Sequence, residues 1–163
     1  MKADLYWIPL TKTGRLATGP RPRAGDWLHD ELKAWRQVGV DVIVCLLTPA
    51  EQLELGLTVE AQACQENGMM FLSYPIEDFG LPESSHKTLK LIDQVNDLLD
   101  EGKAIAIHCR AGIGRSTMIA ASVLARQGID AQTALAGIEK ARGLKVPDTE
   151  EQREWVINFA QSW

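Results

Sequence analysis

Cysteine is scarce in this chain of 163 residues, and the three that occur, Cys45, Cys64 and Cys109, form no CxxC pair. An odd number at wide spacing excludes a disulfide framework and the common zinc spacings. It fits a reducing cytoplasm, where a reactive thiol stays usable. No run approaches the ~18 apolar residues of a membrane-spanning helix, and residues 1–9 lack the apolar core and cleavage site of a secretory signal. Basic residues are in deficit: 17 Lys and Arg against 22 Asp and Glu give a net charge of -5. That balance argues against nucleic acid as the partner, because phosphate backbones reward basic surfaces. Internal repeats, linkers and low-complexity tracts are missing too. The expectation is a single domain over residues 1–163, long enough to bury a core without staples. It is expected to be cytoplasmic, to be a monomer, to need neither metal nor cofactor, and to touch neither membrane nor nucleic acid.

What is present alternates between two periodicities. Residues 4–10 and 15–18 flank a turn at 11–14 and read as a hairpin. Residues 41–47 and 69–74 are apolar runs, the pattern of strands covered on both faces, and residues 104–107 form another. Between them lie helical patterns: 27–38 with Asp26 as N-cap, a short helix from Thr48 and Pro49, 58–67 capped by Thr58, and a long one from Ser84 or Ser85 to about residue 101. Residues 115–126, 130–141 and 148–161 complete the set. Strands alternating with helices imply an α/β domain, with a mainly parallel central sheet of about five strands and helices on both faces. In such sheets ligands sit beyond the C-terminal strand ends. The loops at 75–82 and 108–116 both fall there.

The second of these loops carries the chemistry. Residues 108–116 read His-Cys-Arg-Ala-Gly-Ile-Gly-Arg-Ser between an apolar strand and a helix start. A loop opening a helix gathers backbone N–H groups and partial positive charge around an anion, and Gly112 and Gly114 let the backbone come close to it. Arg110, Ala111, Gly112, Ile113 and Gly114 would form that cradle. Cys109 stands at its start, where a helix N-terminus and nearby cations favour the thiolate. Arg115 closes it with a planar fork suited to phosphate, and Ser116 sets a hydroxyl beside the sulfur. A thiolate attacking phosphorus needs a proton donor for the departing oxygen. The loop at 75–82 offers Asp78 for that, with Glu77 as the open alternative.

HCRAGIGRS resembles the His-Cys-x5-Arg-Ser/Thr signature of the cysteine-dependent protein tyrosine and dual-specificity phosphatases. The upstream PIEDFGLP resembles the acid loop of their compact members, above all the cyclin-dependent-kinase-associated-phosphatase-like branch. The resemblance implies a protein-phosphatase-like fold, Cys109 as nucleophile, Arg115 as phosphate binder and Asp78 as acid and then base. It implies that His108 braces the loop and tunes the thiol, that Ser116 assists breakdown of a phosphocysteine, and that Gln152 positions water. It also implies a phosphorylated protein as substrate, carrying phosphotyrosine and also phosphoserine or phosphothreonine.

Competing readings remain within reach of the same residues. Arg110 is the one basic side chain inside the loop, where lipid-directed relatives carry added lysines, so a phosphoinositide, inositol phosphate or nucleotide is the second choice of substrate. A phosphate-binding module without turnover is the alternative of another class. A sulfurtransferase or arsenate reductase would also use a loop cysteine, but would not need Asp78. Cys45 and Cys64 read as core residues, His29 and His86 as surface ones, and Arg21 and Arg23 as a solvated loop. Trp7, Trp27, Trp35 and Trp155 read as packing residues.

Overall fold

The computed structural model describes residues 3–10 and 12–163. Thr11, the first residue of the expected turn, and Met1 and Lys2 of the expected signal-free start lie outside the described residues. Strands β1 (Tyr6–Ile8), β2 (Arg15–Gly19), β3 (Val42–Cys45), β4 (Met70–Ser73) and β5 (Ala104–His108) form a sheet in the order β1-β2-β5-β3-β4. Only the β1–β2 pairing is antiparallel. The expected α/β class with a mainly parallel sheet is therefore what the chain adopts. The helices are α1 (Leu28–Gln37), α2 (Pro49–Glu54), α3 (Glu60–Glu66), α4 (Ser85–Asp100), α5 (Arg115–Arg126), α6 (Ala131–Arg142) and α7 (Glu150–Gln161). None among the described residues is long and apolar enough to cross a membrane.

Alternation along the central strands divides the core in two. Val42 and Val44 of β3 join Ile105 and Ile107 of β5 in a cluster with apolar residues of α4 to α7, including Leu99, Ile119, Leu135 and Val156. Ile43, Cys45 and Ala106 face the other way, into a cluster with Leu32 and Trp35 of α1 and Cys64 of α3. Every residue of β3 is buried, as a continuous apolar run requires. Cys45 and Cys64 are core residues, as expected, and burial pushes the Cys64 thiol up, with Glu60 and Cys45 adding to the effect.

Helix starts followed the sequence where the cap chemistry was complete. Thr48 and Glu51 form a reciprocal capping box at α2 with Pro49 in the first turn, and Ser84 accepts from Lys87 N–H at α4. Two expected caps are corrected. Asp26 lies within a 3-10 turn (Gly25–Trp27) that feeds α1, which starts with no side-chain cap. Thr58 stands ahead of α3, whose N-cap is Val59. At the other end of the chain α7 starts after Thr149, so Asp148 precedes the helix. Trp35 is buried and Trp7 and Trp155 are half-buried, but Trp27 is 55% exposed. The packing role expected for Trp27 is corrected: it lies in the 3-10 turn with its ring turned outward, where the Arg23 guanidinium stacks over it at 4.8 Å.

Candidate active site

The end of β5 sorts two neighbouring side chains to opposite faces. Cys109 continues the Ile105–Ile107 row into the α5-side core, whereas His108 follows Ala106 to the α1 side. Beyond the strand the chain turns through residues 110–114, whose first three carbonyls are held from outside. Arg21 N–H donates to the Arg110 carbonyl, and Arg142, at the end of α6, donates to those of Ala111 and Gly112. The Arg142 guanidinium is steadied over the Tyr6 ring at 4.2 Å. Among the described residues no protein acceptor takes a hydrogen bond from the N–H groups of Arg110 to Gly114. A loop with its carbonyls tied back and its N–H groups unbonded is electrostatically prepared for an anion. Gly112 makes the bend possible: its φ is +73°, and a Cβ there would lie 2.5 Å from the Gly19 carbonyl carbon.

Cys109 is buried at the foot of this loop, its Sγ 3.4 Å from Ser116 Oγ in the first turn of α5. Arg115 is almost wholly buried and thoroughly bonded. It donates from Nη1 to Glu51 Oε1 at 2.6 Å and to the Ile76 carbonyl, and from Nη2 to Glu51 Oε2 at 2.9 Å and Asp78 Oδ1 at 3.0 Å. Burial alone would raise the Glu51 pKa, but the Arg115 and Thr48 donors outweigh it and hold the carboxyl below its usual range. Burial likewise opposes the charge on Arg115, yet Glu51, Cys109 and Asp78 together hold it protonated. Arg110, the other cation of the loop, reaches Glu54 at 3.4 Å and Glu51 at 4.0 Å, so acidic side chains of α2 offset its charge.

The facing wall is the loop after β4. Asp78 accepts from Phe79 N–H as well as from Arg115, and Gly80 N–H closes a tight turn onto the Glu77 carbonyl. Glu77 meets the site through that carbonyl, and its side chain is exposed. Phe79 takes a left-handed φ of 59° and is 64% exposed; strain of this kind in a non-glycine residue persists where the surroundings enforce it. Gln152 supplies part of that enforcement. It is fully buried, its Nε2 donates to the Gly80 carbonyl, and its Oε1 closes a capping box with Thr149. Its amide also lies against Gly114, as does Asp148, whose Oδ2 would sit 2.3 Å from a Cβ placed there. Burial and the charge of Asp78 push the Asp148 carboxyl up, with Arg115 opposing.

On the other face, His108 Nδ1 contacts the Cys109 carbonyl at 3.1 Å and Nε2 contacts Glu60 Oε2 at 2.6 Å. Desolvation disfavours the imidazolium, but Glu60 and Cys45 more than compensate and raise its pKa well above the ordinary value. Cys45, Glu60 and His108 also offer metal-type ligand atoms within 4.8 Å of one another. The short Glu60–His108 contact is that of a hydrogen bond, however, with no room for an ion between its atoms.

The chain thus gathers Cys109, Arg115, Ser116, Asp78 and Gln152 around the 110–114 loop, with His108 behind it. His29 and His86 are exposed, as expected, and Arg23 is bonded to Glu31. Four contributors were missed: Glu51, Glu60, Arg142 and Asp148. Glu51 left a signal, its capping-box spacing from Thr48, which marks a buried carboxylate at a strand end. The other three left none.

A family model described as Tc-R-P, polymorphic toxin system, DSP-PTPase phosphatase, matches residues 19–129. Protein tyrosine phosphatase domain-containing protein 1 of Bos taurus is 31% identical over 101 residues, 57% of this chain and 12% of its own length. The chain spans less than half the length of the curated relatives it matches first. Among solved structures, kinase associated phosphatase with its catalytic cysteine replaced by serine superposes with a TM-score of 0.89 over 99% of this chain and 96% of that one. At 19% identity this is a likeness of fold. Tk-PTP in its active form is 26% identical, with a TM-score of 0.81 and the whole of both chains covered.

Proposed function

The chain belongs to the polymorphic toxin system DSP-PTPase phosphatase family, and on that premise we propose that it removes phosphate from phosphorylated proteins through a phosphocysteine at Cys109. One arrangement carries this reading: a thiol at the foot of a loop of unbonded N–H groups, closed by a fixed guanidinium. The loop amides of 110–115 hold the phosphoryl oxygens, and Arg115 adds a fork whose orientation Glu51 fixes. The Cys109 thiolate attacks phosphorus, forming the S–P bond as the P–O bond to the leaving group breaks. Asp78 gives its proton to the departing oxygen. In the second half Asp78 takes a proton from water, which attacks the phosphocysteine while Gln152 orients it. Ser116 donates to the departing sulfur, and inorganic phosphate is released. Asp78 is favoured over Glu77 because its carboxylate accepts from Arg115 at 3.0 Å, whereas Glu77 meets the loop only through its backbone carbonyl.

A protein substrate is favoured over a phosphoinositide because Arg110, the one extra cation in the loop, is partly offset by Glu54. Release of phosphate from p-nitrophenyl phosphate, abolished by Cys109→Ser, tests the reaction; phosphate-analogue binding without turnover would make the chain a binding module. Asp78→Ala should slow poor leaving groups most. An unchanged leaving-group dependence would transfer the acid role to Asp148, whose carboxylate lies against Gly114. Phosphotyrosyl and phosphoseryl peptides assayed against phosphoinositides then decide the substrate class.

A further inference from the structure

Among the buried polar groups that the proposed reaction leaves unused, Glu60 is the most conspicuous. It lies in the first turn of α3, on the side of the sheet away from Cys109, and has no solvent exposure. One carboxylate oxygen is bonded to His108, and the other has no partner among the described residues. An unpartnered buried acceptor is destabilising, so the position is a poor one for stability alone.

The register of the sheet explains how the pair meets. Cys45 of β3 is paired directly with His108 of β5, which sets both side chains on the α1/α3 face beneath Glu60. Trp35 covers His108 edge-on, with ring centroids 6.1 Å apart. Gln52 Nε2 donates to Cys45 Sγ at 3.6 Å, and Cys64, one helical turn from Glu60, completes the titratable groups around the ring. Within this setting both ring nitrogens of His108 face acceptors, the Glu60 carboxylate and the Cys109 carbonyl. A carbonyl can only accept, and an ionised carboxylate can only accept. Facing a carbonyl and an ionised Glu60, the ring carries a proton on each nitrogen, that is, it is an imidazolium.

The peptide group between Cys109 and Arg110 is the point of contact with the cradle. Its carbonyl takes the Nδ1 proton, and its N–H is one of the unbonded donors of the loop. A bond to the carbonyl polarises the N–H of the same peptide. It also holds that peptide plane in the orientation that keeps the carbonyl oxygen out of the anion site. We propose that Glu60 is a positioning residue for the phosphatase reaction, locking His108 as a two-handed donor that fixes and polarises the first peptide of the phosphate cradle. The assignment rests on the reading of Cys109 as nucleophile. Glu60 acts wholly from behind the sheet, without touching substrate.

Two experiments test it. In the wild-type protein, nitrogen chemical shifts of the His108 ring should show both nitrogens protonated at about pH 8, well above the ordinary histidine value near 6.5. A neutral ring there, with the proton on Glu60, overturns the proposal, as does a stoichiometric metal ion bound by Cys45, Glu60 and His108. In Glu60→Gln, which keeps the shape and removes the charge, the iodoacetate alkylation midpoint of Cys109 should move to higher pH. Its affinity for orthovanadate should fall roughly tenfold. An unmoved midpoint together with unmoved vanadate affinity overturns it, whatever happens to the melting temperature. Should the variant not fold, the wild-type ring shifts decide alone. None of these readouts needs turnover, so a wild type that hydrolyses no phosphomonoester would defeat the proposed function separately.

Discussion

Arg115 has to remain charged, remain fixed and still present donors to an anion, and Glu51 answers all three needs at once. The two side chains form a bidentate pair in which the guanidinium is 1% exposed. Breaking a buried pair by removing one partner costs about 3–5 kcal/mol, because the other charge is left uncompensated. Glu51→Gln should therefore lower the unfolding free energy by about 3 kcal/mol in urea titrations and reduce kcat/KM for phosphomonoesters. The loop glycines fail in different ways. Gly112→Ala would combine a left-handed φ with a Cβ 2.5 Å from backbone at Gly19 and 2.7 Å from Pro20 N, neither of which can swing aside. It should cost about 3 kcal/mol, read by thermal unfolding, and abolish vanadate binding. Gly114→Ala meets only the ends of Asp148 and Gln152. It should leave the melting temperature nearly unchanged while depressing turnover, because those two side chains must move. Cys109 and Arg115 were legible because their signal is local, nine residues long. Glu51 and Glu60 stand 64 and 48 residues from their partners, and a buried carboxylate on a short helix has no local mark of its partner.

Elements were readable to the extent that their ends carried chemistry. Thr48, Ser84, Asp130 and Thr149 each bond a backbone N–H three residues on, and the helices they cap begin where those bonds dictate. Asp26 and Thr58 have equally suitable side chains, but the chain reaches α1 through a 3-10 turn that begins at Gly25, with φ of 64°, and reaches α3 behind Val59. A capping residue thus marks a helix start only if the preceding backbone arrives extended, which no composition reveals. The strand from 41 to 47 was read too long for a related reason. Leu46 and Leu47 are as buried as β3 itself, but the bond from Leu46 N–H to the His108 carbonyl is the last link of β3 to β5, and beyond it the chain leaves the sheet toward α2. The cap of α7 is the one that also reaches the site, since the Gln152 side chain that closes the box is bonded to Gly80. Thr149→Ala should cost about 1 kcal/mol of stability. It should also lower kcat more than that loss would suggest, because losing the bond from Gln152 N–H to Thr149 Oγ1 loosens the helix start from which Gln152 supports the 77–80 turn. Thermal unfolding and steady-state kinetics on the same variant separate the two effects.

Across the whole molecule, the order of strands was the part furthest from local reading. The alternation of elements implies a parallel sheet, but the insertion of β5 between β2 and β3 joins segments some 60 to 90 residues apart in sequence. Asp41 shows what holds that junction. Its N–H and carboxylate bond both sides of Ala104 at the start of β5, its carbonyl accepts from Met70 N–H at the start of β4, and Arg36 of α1 donates to its other carboxylate oxygen. Burial would raise its pKa, but the Ala104 N–H and Arg36 outweigh it and leave the carboxyl below its usual range. A depressed carboxyl contributes stability that is complete above its unfolded value, near ~4, and is lost as pH falls through the folded one. Glu51 behaves in the same sense. His108 has the opposite sign: raised in the folded state, its contribution is complete below ~6.5 and fades as pH rises through the folded value. Stability should therefore fall toward acid as the sheet junction and the Arg115 pair lose their carboxylates, and fall toward alkali as the pair behind the cradle loses its proton. Urea unfolding across pH checks this in wild type and two variants. Asp41→Asn should make the acid arm shallower, leaving the Glu51 part, and leave the alkaline arm, while Glu60→Gln should flatten the alkaline arm and leave the acid one. If a single variant flattened both arms, the two ends of the sheet would not be titrating independently, and the division of the fold into a structural junction and a charged support for the cradle would be wrong.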